Sequence, residues 1–122
     1  MVRILVVDDE ADILESVGML VEAMGYEAVT VSSGQKALAA LKKGKYDLVL
    51  LDILMPKMSG LETLRQIRAD PKMKAQKVVF LSVVSPSRNG KNTIKELNPL
   101  DYIEKPIDNV SFKKRLRKIF GE

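Results

Sequence analysis

The stretch Leu48-Val49-Leu50-Leu51-Asp52 constrains this chain more than any other. Four consecutive apolar residues fit a strand buried on both faces, the kind found in parallel sheets covered on each side by helices. A carboxylate cannot stay inside such a strand without a partner, so Asp52 is expected where the strand emerges, at its carboxyl end. The arrangement recurs: Ile4-Leu5-Val6-Val7 runs into Asp8-Asp9-Glu10, and Val78-Val79-Phe80-Leu81 runs into the neutral Ser82. In open α/β sheets ligands bind outside the carboxyl ends of the strands. Acids and a hydroxyl therefore converge on one sheet edge, and function is expected there.

Between the apolar runs the period changes from two to that of a helix. Ile13, Leu14, Val17, Leu20, Val21 and Met24 form one stripe, which Gly25 is placed to stop in a left-handed turn. Residues 26–31 alternate and read as an edge strand. Ser33 can cap a helix carrying Ala37, Leu38 and Leu41, ended by Gly44. Strand three is expected over 47–51, followed by a helix with Leu61, Leu64 and Ile67 that Asp70-Pro71 terminates. Strand four is expected over 77–81, and a short helix anchored by Ile94 and Leu97 behind it. Tyr102-Ile103 reads as strand five, and Asp108 can cap a last helix with Phe112, Leu116, Ile119 and Phe120 inward. Five β–α pairs predict a parallel sheet with helices on both faces, in one domain of 122 residues with no output domain.

The chain has no cysteine and no histidine. Disulfides, thiol catalysis, thiolate metal sites and a phosphohistidine of its own are excluded, and any metal must be held by oxygen. The net charge of +4 gathers partly in residues 113–118, which read as a solvated helix face because aromatic interleaving is absent. The first apolar run stops at Val7, too short for a signal peptide or membrane span, so a cytoplasmic protein is expected.

Asp8, Asp9 and Asp52 at one edge would repel and raise one another's pKa, and Mg²⁺ relieves such repulsion while keeping sites for water and phosphate oxygens. Lys105 adds a positive charge able to hold a phosphoryl oxygen, and Ser82 a hydrogen-bond donor. The set suits phosphoryl transfer to a carboxylate. Singly, each residue has a plainer reading. Asp8 and Asp9 could be helix-flanking acids, Ser82 a turn serine, Tyr102 a half-buried core aromatic and Lys105 a solvated lysine.

Taken together, Asp8-Asp9, Asp52 with Met55-Pro56 and Gly60 behind it, Ser82, Tyr102 and Lys105-Pro106 resemble the response-regulator receiver domain of two-component signalling. The resemblance covers the whole chain, in order. It implies a flavodoxin-like doubly wound (βα)₅ fold with strand order 2-1-3-4-5. Asp52 would be the phosphoacceptor. Asp8, Asp9, Asp52 and the backbone carbonyl of Leu54 would bind Mg²⁺, with Mn²⁺ or Ca²⁺ able to substitute. Lys105 would pair with the acceptor carboxylate or the phosphoryl group, and Ser82 and Tyr102 would be switch residues. The implied partners are a sensor histidine kinase or phosphotransfer protein and a downstream protein target, with no direct nucleic acid and no membrane; a monomer or weak dimer is expected. Such a domain is no enzyme beyond self-phosphorylation from small donors and slow self-dephosphorylation. Val83 stands where the family usually has alanine or glycine, and Asn98-Pro99-Leu100 where it usually has Gly-Ala.

Three rival readings differ in what they need. A Mg²⁺-dependent phosphohydrolase wants a second acid near its nucleophile, but Ile53 and Leu54 follow Asp52. A nucleotide binder wants a Gly-rich loop after strand one, for which Asp8-Asp9-Glu10 has the wrong charge. A pseudo-receiver that works without phosphorylation has no use for the intact Asp8, Asp9, Asp52 and Lys105 set.

Overall fold

In the computed structural model, which describes residues 1–83 and 96–121, the apolar runs form one five-stranded parallel sheet. The strands are β1 (Arg3–Val7), β2 (Glu27–Val31), β3 (Leu48–Asp52), β4 (Val78–Ser82) and β5 (Asp101–Glu104), in the order β2-β1-β3-β4-β5. Among the described residues four helices connect or follow them: α1 (Ala11–Ala23), α2 (Gly34–Lys43), α3 (Gly60–Ala69) and α4 (Asn109–Ile119). The short helix expected around Ile94 lies outside the described residues, apart from helical backbone at Glu96 and Leu97. The doubly wound fold and its strand order are as the sequence implied.

Side chains alternate across a strand, so each strand feeds two cores. Ile4 and Val6 of β1, Leu48 and Leu50 of β3, and Val79 and Leu81 of β4 face one way. They pack under Val17 and Val21 of α1 and Phe112 and Leu116 of α4. Leu5 and Val7, Val49 and Leu51, and Val78 and Phe80 face the other way, under Ala37 of α2 and Leu64 and Ile67 of α3. Every residue of β3 and β4 is buried, the consequence of covering both faces. β2, at the edge, is mostly half-exposed, as its alternating sequence suggested.

The ends of the elements follow local chemistry. Ser33 Oγ accepts the Lys36 N–H at 3.1 Å, Ser59 Oγ accepts the Glu62 N–H at 3.1 Å, and Asp108 Oδ2 accepts the Ser111 N–H at 2.8 Å. Gly25 adopts φ +87° after α1, a backbone that glycine enters without steric cost. Gly44 ends α2 as expected, its backbone extended and its N–H bonded to the Ala40 carbonyl. Strands three and four each run one residue later than predicted. The Asp47 carboxylate leaves the strand to accept the Arg3 N–H at 2.8 Å, while Asp52 stays in register opposite Leu81.

Candidate functional site

The alternation that builds the two cores also gathers the charged groups. Asp52 follows Leu50 by two residues, Asp8 follows Val6, and Lys105 follows Ile103. All three therefore leave the sheet's carboxyl edge on the side of α1 and α4. The ladder continues past the strands to hold them: the Asp8 N–H donates to the Val31 carbonyl at 3.2 Å, and the Lys105 N–H to the Ser82 carbonyl at 2.7 Å. Asp9 lies exposed beside them. Carboxylate oxygens of Asp8, Asp9 and Asp52 all come within 4.8 Å of one another.

Lys105 sits between two of these acids. Its Nζ donates to Asp8 Oδ2 at 2.6 Å and lies 3.6 Å from Asp52 Oδ1. The resemblance implied the phosphoacceptor or a phosphoryl group as its partner; the shorter bond goes instead to Asp8. Asp8 is fully buried, and its other oxygen accepts the Glu10 N–H at 2.9 Å, so both of its oxygens are engaged. Burial alone would push the Lys105 ammonium down, but the hydrogen bond to Asp8 and the charges of Asp52, Asp8 and Glu10 outweigh it and raise the pKa. Lys105 is thus a fixed cation.

Asp52 is 3% exposed and less well compensated. Its pKa is raised from 3.8 to about 6. Burial contributes most, and the charge of Asp8 adds to it; Lys105 and a backbone hydrogen bond from Leu54 pull the other way, and Asp9 raises it further. Three carboxylates face one ammonium, an excess of negative charge suited to a cation. Since every donor is a carboxylate or carbonyl oxygen, the site fits a hard divalent ion such as Mg²⁺.

Ser82 and Tyr102 adjoin this cluster from the other side. Ser82 follows Phe80 by two residues, and Tyr102 pairs in register with Phe80 and packs against the core under α2 and α3. The Ser82 side chain is fully buried. The Tyr102 hydroxyl is buried with no hydrogen-bond partner among the described residues.

Two contributors have roles that the sequence did not state, although Gly60 was among the residues that carried the resemblance. Gly60 opens α3, and its N–H donates to the Ile53 carbonyl at 2.8 Å. A Cβ at this position would run into the backbone carbonyl of Asp52, so only glycine lets α3 begin directly beneath the loop that follows Asp52. Glu10, read as one more loop acid, orients Asp8 through its N–H and acts on Lys105 through its charge. No local pattern separates either from an ordinary turn glycine or exposed acid.

A doubly wound sheet with a carboxylate cluster, two of its three members buried, and a fixed lysine at its carboxyl edge is suited to binding a divalent metal. The chain belongs to the response regulator receiver domain family, whose model matches residues 4–117. It is 36% identical over 115 residues to the transcriptional regulatory protein DltR of Streptococcus agalactiae, covering 94% of this chain and 50% of that protein. It is 32% identical over 120 residues to the alkaline phosphatase synthesis transcriptional regulatory protein PhoP of Bacillus subtilis, covering 96% and 48%. The chain thus spans about half the length of these curated relatives. Among solved structures, the chemotaxis protein CheY4 of Vibrio cholerae superposes with a TM-score of 0.90 at 28% identity, over 98% of each chain. The response regulator TrrA of Thermotoga maritima, in complex with Mg²⁺-BeF, superposes with a TM-score of 0.86 at 37% identity, over 98% of this chain and 99% of that one.

Proposed function

We propose that Asp52 accepts a phosphoryl group from the phosphohistidine of a partner sensor histidine kinase or phosphotransfer protein, and that the resulting aspartyl phosphate switches a protein-binding surface near Ser82 and Tyr102. The observation that carries this reading is the packing of three carboxylates within 4.8 Å beside a lysine whose charge is held by two of them. These residues include no histidine, so the donor phosphohistidine lies outside them. The proposal concerns the receiver unit alone.

Asp8, Asp9, Asp52 and the Leu54 carbonyl would hold Mg²⁺, which neutralises charge on the transferring phosphoryl oxygens. One Asp52 carboxylate oxygen attacks phosphorus as the bond to the donor imidazole breaks. With its pKa near 6, Asp52 is mostly ionised at neutral pH and needs no general base. Lys105 is within reach of both Asp8 and Asp52 and moves its contact from the former to a phosphoryl oxygen. Ser82 donates to another phosphoryl oxygen, drawing the end of β4 toward the site. Water attack on phosphorus then returns Asp52 and inorganic phosphate. This reset is expected to be slow: the side chain two residues beyond Asp52 is Leu54, half exposed and without acid–base capacity. No helix among the described residues is long and apolar enough to cross a membrane, and the proposed setting is the cytoplasm, where histidine kinases present their phosphohistidine.

Incubation with acetyl phosphate and Mg²⁺, followed by intact-mass spectrometry, tests the assignment. Wild type should gain one phosphoryl group, Asp52→Asn none. A phosphoryl group on the Asn variant would remove Asp52 from its role, and an unmodified wild type would favour a domain that works without phosphorylation.

A further inference from the structure

The edge of the sheet opposite the carboxylate cluster has a different character. It is built from the connections α2–β3 and α3–β4, residues 42–47 and 70–77, which hold six lysines (Lys42, Lys43, Lys45, Lys72, Lys74 and Lys77) and two aspartates. Both aspartates are turned to backbone: Asp47 accepts the Arg3 N–H at 2.8 Å, and Asp70 accepts the Lys72 N–H at 2.8 Å. All six lysines are exposed, and none is ion-paired with a described residue. The two connections alone thus carry an excess of positive charge equal to the net charge of the whole chain, +4.

This basic edge is also concave. A cleft of about 450 Å³ lies between the two connections and the end of α4, with Leu41, Met73 and Phe120 among its walls and Lys45, Lys72 and Lys77 among its basic lining. A second hollow of about 540 Å³ shares Lys77 and adds Lys118 and Ile119, with Arg115 there paired to Asp101 at 3.5 Å. Arg68 fixes the geometry from below. Its guanidinium donates to the carbonyls of Lys74 at 2.9 Å, Gln76 at 2.6 Å and Leu97 at 2.7 Å. The backbone of the α3–β4 connection is thereby held, and its lysine side chains are left outward.

We propose that this cleft docks an acidic polypeptide segment of a partner protein, one bulky apolar residue seated against Leu41, Met73 and Phe120 and flanking carboxylates meeting Lys45, Lys72 and Lys77. Charge complementarity steers such a segment here and away from the Asp8, Asp9 and Asp52 edge. A buried apolar anchor within a charged rim is the usual anatomy of a small interface. Nucleic acid fits less well. The aromatic rings nearby are already engaged, Tyr46 under the Arg3 guanidinium at 4.6 Å and Phe120 edge-on to Tyr26 at 5.2 Å, so no stacking platform is offered to bases. The surface lies at the far end of the strands from Asp52, so a partner bound there leaves the phosphoryl site open.

Fluorescence anisotropy tests the proposal with a labelled Glu/Asp-rich peptide bearing a central Phe, the same peptide with Gly in place of Phe, and a labelled single-stranded oligonucleotide. Wild type should bind the Phe peptide, more weakly as salt rises. The variant Lys45→Glu/Lys72→Glu/Lys77→Glu should lose about tenfold or more in affinity. Lys36→Glu/Lys114→Glu/Arg117→Glu makes the same change in net charge on other exposed faces and should bind nearly as wild type does. The Gly peptide should bind several-fold more weakly than the Phe peptide. Absence of peptide binding, equal loss in both triple variants, indifference to the Phe, or tighter binding of the oligonucleotide would each overturn the proposal. Since all six substitutions avoid the carboxylate site, phosphorylation of both variants by acetyl phosphate should persist, and its failure would bear on the Asp52 reading instead.

Discussion

The burial and crowding of Asp52, the phosphoacceptor proposed above, come at a cost to the fold. Its pKa is about 6 in the native state against 3.8 for the free side chain, so the folded protein binds this proton more tightly than the unfolded chain does. The associated stability is fully present below about pH 3.8 and is lost as pH rises through about 6. At neutral pH the ionised carboxylate is therefore a strained group, and Asp52→Asn should stabilise the protein by about 1–3 kcal/mol at pH 7.5. That gain should shrink toward zero as the pH is lowered through the same window. Urea denaturation at several pH values reads it directly; a less stable Asn variant at pH 7.5 would contradict the electrostatic account. Mg²⁺ should raise the melting temperature of wild type more than that of the variant, because a ligand that binds only the native state stabilises by mass action. Lys105→Met should act in the opposite sense. It leaves the fully buried Asp8 without its 2.6 Å partner, and breaking a buried pair from one side costs about 3 kcal/mol.

At the scale of the elements, the parts that were legible in the sequence are those governed by one strand or one helix. The Leu48–Leu51 run required burial on both faces, and the helical stripes and Ser33 and Asp108 caps fixed where helices start. The convergence of Asp8, Asp9 and Asp52 was also legible, because each ends or follows an apolar run. Pairing between elements was not. That Lys105 bonds Asp8 more closely than Asp52 depends on the register of β1, β3, β4 and β5 together. Nothing in the sequence marks Arg68 of α3, which donates to carbonyls both of the α3–β4 connection and of Leu97 and Asn98 before β5. Gly60 matters through a contact that its own helix does not encode, the close approach of α3 to the Asp52 carbonyl. Gly60→Ala should therefore destabilise the fold by about 1–3 kcal/mol, the usual cost of overpacking. It should also slow phosphorylation, since relief of the clash displaces the Asp52 backbone. Denaturation midpoints and acetyl-phosphate time courses check both effects, and an unaltered phosphorylation rate would show that the loop accommodates the methyl group without moving Asp52.

For the molecule as a whole, the question is how a phosphoryl group on Asp52 is felt elsewhere. β5 is tied to β4 at both ends, by the Leu100 N–H to the Val78 carbonyl at 2.8 Å and by the Lys105 N–H to the Ser82 carbonyl at 2.7 Å. The first tie lies far from the site; the second joins two residues that, on the proposed function, would both contact the phosphoryl group. Lys105 would exchange Asp8 for a phosphoryl oxygen, and Ser82 would turn its hydroxyl toward another, so the upper tie is the one placed to shift. Tyr102, between the two ties, holds its hydroxyl buried without a partner among the described residues, and a buried hydroxyl left so costs about 1–3 kcal/mol, which an outward turn of the ring would relieve. Serine, lacking the γ-methyl of threonine, also fills less of the space into which the ring can turn. Phosphorylation should therefore redistribute Tyr102 between orientations already populated, and not create a new one. Hydrogen exchange with and without beryllofluoride and Mg²⁺ measures this. Protection should change at Val83 and across β5, and stay nearly constant in α1 and α2, whose main contacts to the sheet are with β1 and β2. Uniform exchange in the two states would mean that the domain does not signal through the β4–β5 side, and a change confined to α1 would move the responsive surface to the opposite face of the sheet.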